Sequence, residues 1–386
     1  MATAEPVEAA PGIEPAVRVS TLELFFDLVF VSTFTALTTV LAADLSVRGW
    51  VRVGLMLGVI LWMYGGYAWL TNAVAPTSRV RRTLFLTGMG GFLAIALAIP
   101  EAFGAAGWVF GAGYFVVNAV HSGLFLYAGG PGAVSAVRTL APLNLVSAGL
   151  VLAGGIATGP WRYALWSLAL AFQIITPYLH PISGYSISAS HFVERHGLVV
   201  IIALGESIVA IGIGAAGLPI DLRLIVVAVL GLTLSYYLWW VYFEGEDGGA
   251  ERALSSVEPQ RRPRVALNAY GYAHYPLLLG IVVLAAGVKK AIGHATDHLT
   301  VGQAVALGGG VALFLFGDVA YRWVLRIGRP TYRLWGVVGV LATIPLGLVM
   351  AVGQLIALIV VLLIMLVTEE VSRRRVQREE LGNVLR

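Results

Sequence analysis

Long apolar stretches, each bounded by charged residues or by glycine and proline, follow one another along almost the whole chain. An α-helix needs about 20 apolar residues to cross the hydrocarbon core of a bilayer. Backbone groups in lipid must bond within their own segment, and the alternation typical of strands is missing, so the stretches predict helices. The twelve predicted spans are 22–42, 49–70, 84–100, 107–127, 138–157, 161–180, 196–214, 222–243, 265–287, 300–327, 333–352 and 354–368.

The connections between the spans are short, and the longest polar one, 244–264, joins the eighth span to the ninth. An even number of spans puts both termini on one face of the membrane. That face then receives nineteen of the 25 Arg and Lys residues, and the opposite face receives six. Because positively charged loops remain in the cytoplasm, both termini are predicted to be cytoplasmic.

The composition agrees with a membrane protein. The chain has 386 residues, of which 58% are hydrophobic and 12% are charged, against about 25% charged in soluble domains. A water-soluble enzyme or a nucleic-acid-binding protein needs more charged residues on its surface, and a disordered chain is less hydrophobic. These three classes of protein are therefore excluded. Cysteine is absent, which excludes disulfides, thiolate nucleophiles and cysteine-bound metals. We expect the lipid bilayer as a partner, and no nucleic acid.

A weak internal repeat is visible when the chain is compared with itself at a shift of 171 residues. Glu23 then falls on Glu194 at the opening of two spans, and Trp69 falls on Trp240 in two aromatic clusters. Six spans in each half is an even number, so the halves share one orientation and a pseudo-two-fold axis lies along the membrane normal. This arrangement predicts a cavity where the two halves meet.

The predicted fold is an all-α polytopic membrane protein with about twelve transmembrane helices, arranged as two six-helix repeats in parallel orientation. No soluble domain fits between the spans. The predicted parts are a disordered cytoplasmic tail (1–20), a first membrane repeat (21–180), a second membrane repeat (181–368) and a basic cytoplasmic tail (369–386).

Two motifs stand at the openings of the two repeats. The first reads LELFFDLVFV over 22–31, and the second reads HFVERHGL over 191–198 and continues as IIALGESI over 201–208. In this order and spacing they resemble the low-temperature-requirement protein A family of bacterial membrane proteins. The resemblance covers 18–370 and implies a multi-pass protein of the bacterial cytoplasmic (inner) membrane. The family name records a growth phenotype, so the resemblance implies no reaction.

Carboxylic acids inside the spans are the first candidates for chemistry. Inserting a charged side chain at membrane depth costs roughly 2.5–3.5 kcal/mol, so such residues usually face the bundle interior or a cavity. Glu206 lies twelve residues after Glu194, which is about 18 Å along a helix and near mid-membrane. It could carry a proton, bind a cation or act as a general acid. Alternatively, a protonated Glu206 only hydrogen-bonds a neighbouring helix.

Glu23 and Asp27 are four residues apart and therefore share one face of the first span. A carboxylate pair on a cavity could share a proton or hold a cation. The alternative is an interfacial cluster that pairs with a cytoplasmic arginine such as Arg195. Asp318 precedes Arg322 by four residues, and this spacing predicts an ion pair within one helix near the cytoplasmic end.

His191, Glu194 and Arg195 crowd the entry to the seventh span, and the H-x-x-E spacing puts the first two on one helix face. A metal site needs at least three ligands, which this cluster does not supply, so no metal is predicted. We interpret the cluster, together with Glu23, as a polar gate at the cytoplasmic face. A titrating histidine could make that gate sensitive to pH. No glycine run has the features of a phosphate-binding loop, and no cofactor is predicted.

Histidines, aromatic residues and interrupted helices give the remaining candidates. His residues inside spans either face a ligand or serve as hydrogen-bonding partners between helices. The Trp and Tyr clusters form either interfacial belts or a cavity wall. Pro142 with Asn144 interrupts the fifth span, and such interruptions either flank binding sites or are kinks. The candidate cavity residues are Trp69, Asn118, His121, Tyr237, Trp240 and His274.

These features predict a secondary transporter or permease of unknown substrate, with proton coupling as an option. Glu206 and Asp27 would be its protonatable or cation-binding groups. One alternative is an intramembrane enzyme that acts on a lipid or isoprenoid, with Glu206 or Asp27 as general acid. Another is a membrane-stress scaffold without small-molecule activity.

Overall fold

The structure is a computed structural model that describes residues 19–74, 78–180, 182, 185–243 and 247–384. This part of the chain contains helices and no strand, so the predicted all-α membrane fold is confirmed. Most of the predicted N-terminal tail, 1–18, lies outside the described residues.

Fifteen α-helices are assigned within the described ranges, together with a 3₁₀ turn, Ile99–Glu101, and a π-helical segment, Leu267–Tyr272. The α-helices are α1 (Thr21–Ala43), α2 (Val47–Ala73), α3 (Arg79–Ala98), α4 (Gly107–Ala128), α5 (Pro131–Ile156), α6 (Pro160–Leu179), α7 (Ala189–Ala215), α8 (Leu222–Phe243), α9 (Asp247–Ser256), α10 (Arg262–Ala266), α11 (His274–Ala291), α12 (Val301–Leu325), α13 (Thr331–Ala342), α14 (Ile344–Gly347) and α15 (Ala351–Val384).

Ten helical segments of the described chain are long and apolar enough to cross a membrane. They include α1 to α5, α7, the segment that contains α8, the continuous segment from α10 to α11, α12 and α15. The prediction of twelve spans adds α6 and the pair α13–α14, and that count stays a prediction.

Three details differ from the sequence-based boundaries. α5 runs through Pro142 without a break, so the predicted interruption of the fifth span is wrong. The eleventh predicted span, 333–352, is divided between α13, α14 and the start of α15, because Pro345 cannot donate a backbone hydrogen bond and blocks a continuous helix. Residues 369–384 of the predicted basic tail continue α15 as helix.

α1 and α7 pack against each other in parallel. Contacts near their first turns join Glu23 to His191, and contacts further along join Thr35 to Glu206. Thr35 and Glu206 are 171 residues apart, the same shift that relates the two halves in sequence. Helices on either side of a two-fold axis bring equivalent residues together in this way. The repeat itself stays a prediction.

The two halves also pack their helices in the same order. In the first half, α1 contacts α3, α3 contacts α4, and α4 contacts α5. In the second half, α7 contacts α11, α11 contacts α12, and α12 contacts α13. This parallel is what two six-helix repeats with one common fold would produce.

A buried arginine joins two connections at the end of the molecule opposite the start of α1. The Arg162 guanidinium donates hydrogen bonds to five backbone carbonyls, of which two belong to residues just before α4 and three to the end of α5. These carbonyls include C-terminal groups of α5 that have no partner within the helix. Arg162 therefore serves the fold.

Glycines allow close helix packing between α11 and α12. A Cβ atom added at Gly310 would lie 2.5 Å from the Leu284 backbone nitrogen, and one added at Gly280 would lie 2.6 Å from the Gly310 carbonyl oxygen. Small residues at such crossings let backbones touch, which is how membrane helices gain packing energy without a hydrophobic driving force. At the neighbouring Gly309, an added Cβ would meet only ordinary contacts, the nearest being Trp50 at 3.6 Å.

This difference predicts opposite outcomes for two adjacent substitutions. Gly310→Ala should lower the apparent melting temperature in detergent, because the crowded methyl group costs about 1–3 kcal/mol. Gly309→Ala, the matched control, should leave it unchanged or raise it, since both positions gain about 1 kcal/mol of helix propensity. Equal melting temperatures for the two variants would contradict the close contact at Gly310.

Candidate functional site

The first turn of α1 is fixed by its own capping residues. The Ser20 hydroxyl accepts a hydrogen bond from the Glu23 backbone nitrogen, and the Glu23 carboxylate accepts one from the Ser20 backbone nitrogen at 2.7 Å. This capping box satisfies two backbone donors that the helix leaves open. It also orients the second oxygen of Glu23 towards α7.

Asp27 and Arg195 form a buried ion pair between α1 and α7. The Arg195 Nη1 lies 2.7 Å from the Asp27 Oδ2, and neither side chain is more than 3% exposed. The same nitrogen donates to the Glu23 carbonyl at 3.1 Å. From α2, the Tyr64 hydroxyl lies 3.4 Å from Asp27 and 3.1 Å from the Arg195 carbonyl oxygen. Three helices therefore meet at one pair of charges.

A second contact lies one turn closer to the start of the two helices. The His191 Nε2 is 3.0 Å from the Glu23 Oε1. On the other side of the ring, the Asn72 amide nitrogen is 3.4 Å from the His191 Nδ1, and the Asn72 oxygen accepts from the Ser188 backbone nitrogen. Because the Asn72 amide donates to Nδ1, this arrangement favours the neutral imidazole that donates from Nε2 to Glu23.

These contacts bear on the two interpretations of the acids at the start of α1, a carboxylate pair that shares a proton or holds a cation and a cluster that pairs with an arginine. Glu23 and Asp27 do not face each other as a proton-sharing pair, since each has its own partner on α7. Glu194 is separated from His191 despite the H-x-x-E spacing: it is exposed and accepts a hydrogen bond from the Val19 backbone nitrogen at 3.3 Å. We call Glu23, Asp27, Tyr64, Asn72, His191 and Arg195 the α1–α7 cluster.

The guanidinium of Arg195 is fully buried and keeps two of its nitrogens without hydrogen bonds. Nε and Nη2 have no partner among the described residues. The group lies within 6 Å of two aromatic ring centroids, at 5.9 Å from Phe26 and 5.7 Å from Tyr64. Ring faces attract a cation, and the attraction is larger where water is excluded. Asp27 and the two rings together hold this charge inside the bundle.

Glu206 lies further along the same helix interface, buried against α1. Its Oε2 is 2.5 Å from the Thr35 hydroxyl, which is also 3.0 Å from the Val31 carbonyl. Thr35 has a single hydroxyl hydrogen. When Thr35 donates that hydrogen to Val31, Glu206 must be protonated and donate to Thr35; when Thr35 donates to Glu206, the carboxyl can be ionised. The contact therefore fits both states of Glu206.

A cavity of about 480 Å³ lies between helices of the two halves. We call it the central cavity. From the first half, α2, α4, α5 and α6 line it; from the second half, α7, the π-helical segment and the start of α11 do. Its volume is in the range of ligand sites in proteins. The residues used below are Met63, Gly65, Gly66, His121, Asn144 and His196.

α2 separates the central cavity from the α1–α7 cluster. Gly65, Gly66 and Trp69 of α2 line the cavity, while Tyr64 reaches Asp27 and Arg195 on the other side. His196 follows Arg195 in α7 and lines the cavity as well. Arg195 of the cluster is therefore the direct neighbour in sequence of a residue in the cavity wall. Neither Asp27 nor Glu206 lines the cavity.

The predicted cavity residues divide into three groups. Trp69 and His121 line the central cavity. Asn118 and His274 do not, because each is engaged within the bundle: the Asn118 amide donates to the Tyr114 carbonyl at 2.9 Å, and the His274 Nε2 lies 2.8 Å from the Tyr242 hydroxyl. The other two residues, Tyr237 and Trp240, line a smaller cavity of about 220 Å³ between α8 and α15.

That smaller cavity borders a second buried charge network. Asp318 lies 3.3 Å from Arg322, as the spacing within α12 predicts, and 2.9 Å from Arg333. Glu369 lies 3.0 Å from Arg322 and 3.2 Å from Arg333. The sequence interpretation includes the pair within α12 but misses its partners on α13 and α15. Glu369 reaches these arginines because α15 packs against α12 and α13.

Sequence reasoning also misses the roles of Tyr64 and Asn72. Tyr64 belongs to a predicted aromatic cluster, yet its hydroxyl is a polar member of the α1–α7 cluster. Asn72 lies at the end of an apolar span. A polar residue is expected there, at the membrane surface, so the sequence gives no reason to assign it a role. The available signal is the polar residue at the end of the second span, on the same face of the membrane as the two motifs.

The burial of the ion pair predicts an order of stability. Asp27→Asn should destabilise the protein by about 3–5 kcal/mol, because the buried Arg195 loses its counter-charge. Glu23→Gln should cost less, since a neutral His191 and Ser20 can still hydrogen-bond an amide. The measurement is the apparent melting temperature of each variant in detergent. A larger loss for Glu23→Gln would contradict the assignment of Asp27 as the principal partner.

Comparison with known proteins agrees with this architecture. No solved structure matches the chain. The chain is 29% identical over 379 residues to an uncharacterized protein of Rhizobium meliloti (strain 1021), covering 92% of this chain and 90% of that protein. The family model described as bacterial low temperature requirement A protein (LtrA) matches residues 18–368. The match includes both motifs and all the helices from α1 to α14. The chain is therefore a member of the bacterial low temperature requirement A family of multi-pass membrane proteins.

Proposed function

We propose that this protein is a secondary transporter or permease of the bacterial cytoplasmic membrane, with the central cavity as its substrate site. The observation that carries the proposal is the position of the cavity between helices of the two halves. A site between two halves becomes accessible from either side of the membrane when the halves rock against each other. A cavity inside one rigid half would lack this property.

The charge distribution supports an orientation for the transporter. The excess of arginine at the face of the termini favours cytoplasmic termini. In this orientation the α1–α7 cluster lies at the cytoplasmic ends of α1 and α7. The cavity has one edge at Tyr178, an exposed residue near the end of α6 on the same face. The structure thus fits a state that admits substrate from the cytoplasmic half of the bundle.

The α1–α7 cluster is suited to hold this state. Its ion pair and hydrogen bonds tie α1 and α2 of the first half to α7 of the second. Opening the other face requires relative motion of the halves, so these contacts must stretch or exchange. We propose the cluster as the contact between the halves that holds this state and rearranges in the transition, with Asp27 and Arg195 as its central pair. The gate that the sequence predicts for these residues stays a prediction. Glu206 at the α1–α7 interface, whose contact fits both protonation states, is the candidate for proton coupling.

The enzyme alternative receives less support from the same geometry. It requires Glu206 or Asp27 as a general acid beside the substrate. A general acid must be within hydrogen-bond reach of the atom that it protonates. Neither carboxyl lines the central cavity, and each already has a partner across the helix interface.

Single-cysteine labelling tests the transporter directly, because the natural chain contains no cysteine. Gly65→Cys places a thiol on the central cavity, where an added Cβ meets no atom within 4 Å. We expect a membrane-impermeant maleimide to label this variant from the cytoplasmic side in inverted vesicles and from the outer side in right-side-out vesicles. Alternating exposure of one site to both sides is what a transporter needs.

Gly123→Cys is the matched control. Gly123 also lies on a helix with open space around the Cβ position, but it is exposed on α4 and does not line the cavity. We expect the surrounding lipid to shield it from the maleimide in both kinds of vesicle. Labelling of Gly65→Cys from one side only, or from neither, would overturn the transporter proposal.

A further inference from the structure

The polar atoms of the central cavity indicate which kind of molecule it accepts. None of the described residues lining it is Asp, Glu, Lys or Arg. A charged ligand would therefore enter a largely apolar space without an opposite charge, which is strongly unfavourable. Most of the lining is aliphatic or aromatic, and such surface favours an apolar molecular body. The lining of the cavity therefore favours a ligand without charge.

His121 is the first polar group on the wall. Its Nε2 lies 3.0 Å from the Gly66 carbonyl oxygen, which can only accept, so Nε2 carries the hydrogen and donates. Because no carboxylate lines the cavity to pair with an imidazolium, the neutral ring is the form that fits. Its Nδ1 then keeps a lone pair. This atom is buried and has no hydrogen-bond partner among the described residues.

His196 repeats the arrangement on α7. Its Nδ1 lies 2.8 Å from the Phe192 carbonyl oxygen, so Nδ1 is the donor. The Nε2 lone pair accepts no hydrogen bond from any described residue. The ring belongs to the cavity wall and is buried. In both histidines, the hydrogen bond to a backbone carbonyl thus fixes the tautomer. The other ring nitrogen remains available as an acceptor.

Asn144 of α5 also lines the cavity, and its amide takes part in no hydrogen bond within the described chain. Asn144 is half-buried, whereas the two imidazoles are buried. Buried polar groups normally have partners, and an unsatisfied one calls for an explanation. Two imidazole acceptors without donors, in a cavity without charges, are explained by a ligand that brings the donors. A hydroxyl group is a small donor that carries no charge, and its oxygen can also accept a hydrogen bond from the Asn144 amide.

We infer that the substrate is a neutral, largely apolar molecule that carries at least one hydroxyl donor, such as a phenol or a long-chain alcohol. The apolar body fills the aromatic and aliphatic part of the cavity. The hydroxyl donates to the imidazole of His121 or His196, and the Asn144 amide is available to its oxygen. This inference rests on the proposed function, since it names the substrate class of the same cavity.

Three photoreactive probes of equal size test the inference: benzophenone, 4-hydroxybenzophenone and 4-benzoylbenzoate. Activated benzophenones insert readily into methionine, and Met63 lines the cavity. Peptide mass spectrometry gives the labelling of Met63 relative to Met350, which is exposed on the bundle surface. This ratio corrects for partition of each probe into the bilayer. The full-length protein in proteoliposomes is used throughout.

We expect the ratio for 4-hydroxybenzophenone to exceed that for benzophenone by about threefold to tenfold, the net effect of one hydrogen bond. The carboxylate probe should give the lowest ratio. In the double variant His121→Phe and His196→Phe, the preference for the hydroxyl should fall to about one. Each single variant then identifies which ring accepts. His294→Phe, at an exposed histidine in the connection between α11 and α12, is the matched control and should keep the preference.

Equal ratios for benzophenone and its hydroxyl form in the natural protein would overturn the inference, whether or not any variant folds. So would a preference that survives loss of both histidines, or a higher ratio for the carboxylate. The vesicle labelling of Gly65→Cys is independent of these probes. Access from both sides without hydroxyl preference would reject only the substrate class, whereas preference without such access would reject only the transporter.

Discussion

The rest of this structure depends on the need to neutralise charge inside a low-dielectric bundle. Asp27 and Arg195 meet at 2.7 Å between α1 and α7, almost completely buried. Removing either partner would leave a charge that lipid and protein cannot solvate. The parallel packing of the two helices, the tie to α2 through Tyr64, and the register that brings Glu23 to His191 all accompany this pair. It is one of several contacts that hold the two halves of the protein together.

The bundle separates charged chemistry from neutral chemistry by the width of one helix. One side of α2 contributes Tyr64 to the ion pair, and another contributes Gly65 and Gly66 to a cavity with no charged lining among the described residues. For a transporter, this division has a clear use. The charges can hold or release the halves without imposing a charge requirement on the molecule that crosses between them.

Several residues carry chemistry only because of what packs against them. The sequence predicts Glu206 as a mid-membrane carboxyl, but its contact with Thr35 makes it a group that can hold or lose a proton at a helix interface. Glu194 has the same spacing to His191 as a ligand pair, yet it is exposed. The Asp318–Arg322 pair is local and follows from the spacing within one helix, whereas Glu369 joins it from α15, 47 residues beyond Arg322.

The sequence alone determines the membrane class, the approximate position of most helices and the family, because apolar length and local motifs are properties of neighbouring residues. It also marks Glu23, Asp27 and Arg195 as polar residues at two helix starts. Tertiary structure decides which of these pair, that His121 lines a cavity while His274 does not, and that α5 continues through its proline. Those outcomes depend on contacts between helices distant in sequence, and no local pattern in the chain encodes which faces meet.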